Sequence, residues 1–302
     1  MRFWFKKIVL VSFLLLFCLH GIIVFVAYKS THYVSLQVGS EQKRFRLSDV
    51  FAEPRTIDSV VPDQPFETLA IPSKDQLSCW RIVPPNPVGA VIICHGYTRS
   101  KSYMLPEAEE FLQLGYTVYM FDFSGASQSK GNRTSIGFYE ADQVRDVFAY
   151  VSERETLPVE LFGVSMGAVA ILKAIHDYAI EPCSVILECP FGTFLETVEA
   201  RFANHNVPSF PFALVLAFWM GRLNGFDAFA HNPVRYAKAV NCPVLLMSGA
   251  KDPKVSLKEI HAIFGQFSSS KKLYIFPSAK HESYVRRDCN EWQAIVGNFL
   301  EN

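Results

Sequence analysis

Gly163-Val164-Ser165-Met166-Gly167 follows the apolar run Pro158-Val159-Glu160-Leu161-Phe162 and opens a helix-like stretch from Ala168 to Asp177. Strand, tight turn and helix in that order are what a G-x-S-x-G nucleophile elbow needs. Glycines let the backbone turn sharply and hold the serine hydroxyl clear of its neighbours. Ser165 is therefore the candidate nucleophile. The five residues alone carry little weight, since a chain of this length contains the bare pattern by chance roughly one time in ten. Weight comes from order: an acid and then a histidine should follow, each on a loop after a strand.

Both follow. Ser248-Gly249-Ala250-Lys251-Asp252-Pro253 ends an apolar run, and an aspartate before proline is held in an extended or turn conformation that can point it inward. Asp252 is the candidate acid, with Glu188, after Val185-Ile186-Leu187, as the alternative. Pro277-Ser278-Ala279-Lys280-His281-Glu282 follows the last strand-like run. His261 also lies beyond Ser165 and Asp252, but in a helical pattern, so His281 is the candidate base. Its imidazole would take the serine proton and return it to the leaving group, while Asp252 fixes its tautomer.

Upstream, Cys94-His95-Gly96-Tyr97-Thr98-Arg99-Ser100 closes another apolar run. Gly96 is expected to let the backbone swing an amide toward the nucleophile, so the N–H groups of Tyr97 and Met166 are the candidate oxyanion donors. His95 reads as a residue that orients this loop rather than as a proton carrier. The turn-rich stretch from Asp122 through Gly125 and Ser127 to Gly131 reads as structural. The chemistry so assigned needs no metal and no cofactor.

Eight strand-like runs occur, at 66–71, 77–83, 90–94, 116–121, 159–162, 184–187, 243–247 and 272–276. The later ones are separated by segments with apolar residues at helical spacing, such as Val144, Val147, Phe148 and Val151. That alternation predicts an α/β class with a mostly parallel sheet covered by helices on both faces. The first two runs are too close for a crossover helix and should pair antiparallel. Residues 190–242, rich in phenylalanine, are too long for a plain connection and read as a helical lid within a domain spanning 66–302. Most of the lid aromatics are expected to pack against the core, leaving a few for substrate.

Ile8 to Tyr28 is 21 residues broken only by Ser12, His20 and Gly21. At 1.5 Å per residue it reaches about the 30 Å of a bilayer core, so residues 1–30 read as a single-pass membrane anchor and 31–65 as a tether. A cleaved signal peptide is disfavoured, because a cut after Ala27 would put bulky Phe25 where a small residue is needed. Arg2, Lys6 and Lys7 precede the run, which by the positive-inside rule puts the catalytic domain on the non-cytoplasmic side. The 302 residues carry 29 basic and 29 acidic side chains, so no net field favours nucleic acid as a partner. The seven cysteines sit mostly in or beside apolar runs and read as buried free thiols.

Taken together, His95-Gly96, the 122–131 loop, Gly163 to Gly167, Asp252-Pro253 and His281 resemble the α/β-hydrolase family, in its branch of small esterases, acylglycerol lipases and serine aminopeptidase-like proteins. The resemblance starts near Phe66, and the anchor and tether lie outside it. Ser124 stands where many members have arginine, and Met166 where others have glutamine. The resemblance implies an ester or thioester hydrolase acting on a small or lipid-like acyl substrate. Amide hydrolysis, or a non-catalytic binding role on the same fold, are the alternatives.

Overall fold

The computed structural model describes residues 2–32 and 61–301; most of the expected tether lies outside them. The chain opens with α1 (Arg2–Thr31), followed by β1 (Glu67–Ile71), β2 (Leu77–Ile82), β3 (Gly89–Cys94), α2 (Leu105–Gln113) and β4 (Tyr116–Phe121). Next come α3 (Glu140–Ser152), β5 (Val159–Val164), α4 (Met166–Tyr178) and β6 (Val185–Glu188). Then α5 (Phe194–Asn204), α6 (Phe212–Asn224) and α7 (Pro233–Tyr236) precede β7 (Val244–Gly249). Finally α8 (Leu257–Phe264), β8 (Lys271–Phe276), α9 (Tyr284–Arg287) and α10 (Cys289–Leu300) complete the chain. All eight expected strands form.

The strands make one sheet in the order β1-β2-β4-β3-β5-β6-β7-β8. β1 with β2 and β2 with β4 are antiparallel, and β3 to β8 run parallel. Alternate residues of a strand point to opposite faces, and both faces here are apolar because both are covered. Ala90, Ile92 and Cys94 of β3 join Leu161, Leu187 and Leu246 in a core closed by α3, α4 and α8. The intervening Val91 and Ile93 join Phe162, Ile186 and Leu245 in a second core closed by α2 and α10. Within this second core Phe111, Phe162 and Trp292 meet edge to face with ring centroids 5.4–5.9 Å apart. Parallel pairing puts the carboxyl ends of β3 to β8 at one edge, and the candidate residues sit on the loops there.

The insertion between β6 and β7, the expected lid and hereafter the cap, is helical, and its buried residues join the core closed by α3, α4 and α8. Phe191, Phe194 and Phe202 are buried, whereas Phe210, Phe218 and Phe229 remain exposed. The cap is pinned at His231, which is fully buried, with its Nε2 3.1 Å from the Ile136 carbonyl and its Nδ1 3.2 Å from the Tyr236 hydroxyl. The cysteines depart from the sequence reading: all seven are free, but Cys18, Cys183 and Cys289 are exposed and only Cys79, Cys94 and Cys189 are buried. Neighbouring apolar residues told of the strand, not of the edge on which the thiol falls.

Burial, reinforced by the Lys173 charge, pushes the His231 imidazole down from 6.5 to about 4. The folded state therefore holds it neutral where the unfolded chain already binds a proton. Its contribution to stability is complete above pH 6.5, declines as the pH falls, and is gone below about 4, up to about 3 kcal/mol in all. Thermal unfolding followed from pH 7 to 4 should show His231→Gln losing less stability across that window than the unmodified chain.

Candidate active site

Ser165 lies between β5 and α4 with backbone angles φ 52° and ψ −109°, a left-handed position that L residues rarely take. Two glycines make the turn possible by removing side chains. A Cβ on Gly167 would lie 2.1 Å from the Cys94 carbonyl oxygen, and one on Gly163 would lie 2.7 Å from the Ala168 nitrogen. The elbow can therefore fold back on β3. The Ser165 N–H donates to the Glu188 carbonyl at 2.8 Å, tying the turn to the end of β6.

The structure brings Ser165, His281 and Asp252 together from three separate loops. His281 Nε2 lies 3.2 Å from Ser165 Oγ, and its Nδ1 lies 2.7 Å from Asp252 Oδ2. The Asp252 side chain is fully buried, and its other oxygen accepts from the Lys254 and Val255 amides at 2.7 and 3.0 Å. Those two amides form a turn on the carboxylate, which leaves Oδ2 aimed at the imidazole. An Nδ1–H donated to Asp252 leaves the Nε2 lone pair facing the serine hydroxyl, the arrangement a general base requires.

Glu188, the alternative acid, is directed elsewhere: its Oε1 accepts from Trp292 Nε1 at 2.7 Å. Burial, with nearby Glu107 adding repulsion, holds its carboxyl well above the usual carboxylate range. In sequence it is the second choice, since both residues close apolar strands and only Asp252 precedes a proline.

The oxyanion candidates flank Ser165. Met166 is the first residue of α4, where helix amides have no carbonyl one turn back. The Gly96 Cβ position lies 3.8 Å from Ser165 Cβ, which sets the Tyr97 loop beside the serine. The conformational need expected of Gly96 is not met in its backbone. Its φ is ordinary and a Cβ there would meet nothing closer than 3.5 Å, so neither strain nor space demands glycine; the left-handed residue in the loop is Thr98, at φ 60°. His95 is bonded at both ring nitrogens: the Phe123 N–H donates to its Nε2 at 3.0 Å, and its Nδ1 lies 2.8 Å from the Gly96 carbonyl.

Sequence reasoning missed the ion pair that fastens this loop to the sheet. Lys101 Nζ lies 2.5 Å from Asp122 Oδ2 with both side chains almost fully buried. Asp122 Oδ1 also accepts from the Lys101 N–H at 2.7 Å, and the ammonium reaches Gln128 and the face of Trp80. The turn composition of 122–131 signalled a structural loop but not its partner.

Among the described residues, the donor atoms of Cys189, Asp252 and His281 lie within 4.8 Å of one another, close enough for a metal to be considered. Burial and the Asp252 charge push the Cys189 thiol well up.

Residues 85–224 match the family model Hydrolase_4, described as serine aminopeptidase, S33. YqkD of Bacillus subtilis is 28% identical over 231 residues, 74% of each chain. The lysophosphatidylserine lipase ABHD12 of Danio rerio is 26% identical over 199 residues, which cover 61% of this chain but 48% of that one. The esterase Pf2001 of Pyrococcus furiosus superposes with a TM-score of 0.68 at 21% identity, over 89% of this chain and 98% of the esterase. The chain has the α/β-hydrolase fold and is similar over these spans to members of that superfamily.

The two loop glycines differ in what they tolerate. Gly167→Ala should destabilise the chain by at least about 3 kcal/mol, since its nearest obstacle is backbone. Gly96→Ala, with 3.5 Å to its nearest atom, should leave the thermal midpoint almost unmoved. A midpoint comparison of the two variants checks both statements.

Proposed function

We propose that this chain is a membrane-anchored serine hydrolase that cleaves carboxylic esters through an acyl-enzyme on Ser165. The observation that carries the reading is the single imidazole lying 3.2 Å from the Ser165 hydroxyl and 2.7 Å from the Asp252 carboxylate. His281 removes the hydroxyl proton as Ser165 Oγ attacks the ester carbonyl. Asp252 stabilises the resulting imidazolium, and the Tyr97 and Met166 amides take the oxyanion. Collapse transfers the proton from Nε2 to the leaving alkoxide, and water then repeats the sequence to free the acid and restore the serine.

The ester preference is supported by the likeness to the Pyrococcus esterase and the zebrafish lipase, and by the exposed phenylalanines of the cap, which suit an apolar acyl group. Amide hydrolysis is the second reading, favoured by the matched family's description as a serine aminopeptidase. An aminopeptidase needs carboxylates for the substrate amine, yet Glu196 on α5 is engaged by Thr193, whose hydroxyl donates to it at 2.8 Å.

For the membrane, support lies in α1. Trp4–Thr31 has mean hydropathy 2.9 in its most apolar window, none of which is buried against the protein. At 1.5 Å per residue these 28 residues extend about 42 Å, more than the roughly 30 Å of a hydrocarbon core. Arg2, Lys6 and Lys7 at its start favour a cytoplasmic N-terminus.

A fluorophosphonate probe should label the chain and not Ser165→Ala; equal labelling of both removes the assignment. Asp252→Asn should retain fold but lose about 10⁴-fold in kcat, as when a triad acid becomes an amide. Faster turnover of aminoacyl-nitroanilides than of p-nitrophenyl esters would give the second reading precedence. Protease added outside intact cells should remove a C-terminal tag, and protection of the tag would reverse the orientation.

A further inference from the structure

The last turns of α1 are built into the catalytic domain. Val26, Ala27, Ser30 and Thr31 are buried, at the three- and four-residue spacing of one helix face, whereas most of the helix before them is exposed. α6 of the cap lies alongside, with Trp219 edge-on to His20 at 5.5 Å between ring centroids. A helix leaves its final carbonyls without intrahelical donors, and a half negative charge gathers there. Here the domain supplies the donors. The Tyr97 hydroxyl donates to the Ser30 carbonyl at 2.7 Å, and the Thr134 N–H donates to the Thr31 carbonyl at 2.9 Å. His32 then bridges to Arg133.

These two donors are next to the two oxyanion amides. Tyr97 carries one of them on its own backbone. Thr134 Oγ1 lies 3.5 Å from the sulfur of Met166, which carries the other. From the opposite side, Arg201 of α5 sits over the Tyr97 ring at 5.6 Å. We propose that the C-terminal turn of α1 positions the oxyanion loop, with the Tyr97 side chain as the positioning group, so that the apolar helix is a working part of the active site and not a leash. The inference rests on the serine-hydrolase reading above. A tether alone would need no buried face and no hydrogen bond to a catalytic loop.

The test uses the full chain in detergent micelles with a p-nitrophenyl ester. Tyr97→Phe keeps the ring and the backbone amide but cannot hold Ser30. Its kcat should fall about three- to tenfold, the worth of one hydrogen bond, with KM within about twofold and the thermal midpoint within about 2 °C. Replacing Tyr97 with 4-aminophenylalanine restores a donor at the same place and should recover most of the loss. Unchanged kcat in Tyr97→Phe overturns the proposal. So does a rise in KM alone, which would make the hydroxyl a substrate contact, or a joint fall of kcat and midpoint that the amino analogue does not restore. Failure of the underlying reading looks different: the unmodified chain would then resist the fluorophosphonate as Ser165→Ala does, and both readings would go.

Discussion

The strained backbone at Ser165 is the constraint on which the rest of this molecule depends. A non-glycine residue at φ 52° and ψ −109° costs about 1–3 kcal/mol and persists only where its surroundings over-determine it. Those surroundings are specific. β5 is paired on both sides in parallel register, with Gly163 opposite Cys94 of β3 and Leu187 of β6. Gly167 then rests on the Cys94 carbonyl, and the Ser165 amide is held by Glu188. The hydroxyl is presented above the sheet because neither strand can shift without breaking these contacts.

Parallel pairing also explains why the other groups converge. Loops that leave β3, β5, β7 and β8 at one edge meet over a short distance, however far apart they are in the chain. The carboxylate of Asp252 is then fixed by local turn amides, and the imidazole by the carboxylate. Burial raises both Glu188 and Glu107, and Glu107 adds repulsion to Glu188, whereas the carboxylate held against the imidazole is that of Asp252.

Much of this was legible because it is written locally. Each strand is a short apolar run, each covering helix carries a 3.6-residue rhythm, and the elbow, the Asp-Pro turn and the late histidine are marked by composition and order. What escaped the sequence is long-range and has no period. Nothing near Tyr97 announces that its hydroxyl will cap a helix 67 positions earlier, nor does anything near Lys101 point to Asp122. Gly96 misled in the other direction: a glycine in a catalytic loop suggested conformational need, and the backbone there turned out to be ordinary. Exposure of individual cysteines depends on which edge of an element faces outward, which flanking residues do not encode.

The buried pair of Lys101 and Asp122 also limits how such a sequence can drift over generations. Losing one partner strands a charge in the interior at a cost of about 3–5 kcal/mol, whereas exchanging both for apolar groups of similar volume is often neutral. Single replacements here are therefore dead ends and paired ones are not. Descendant chains should inherit the ammonium and the carboxylate as one unit, or carry neither.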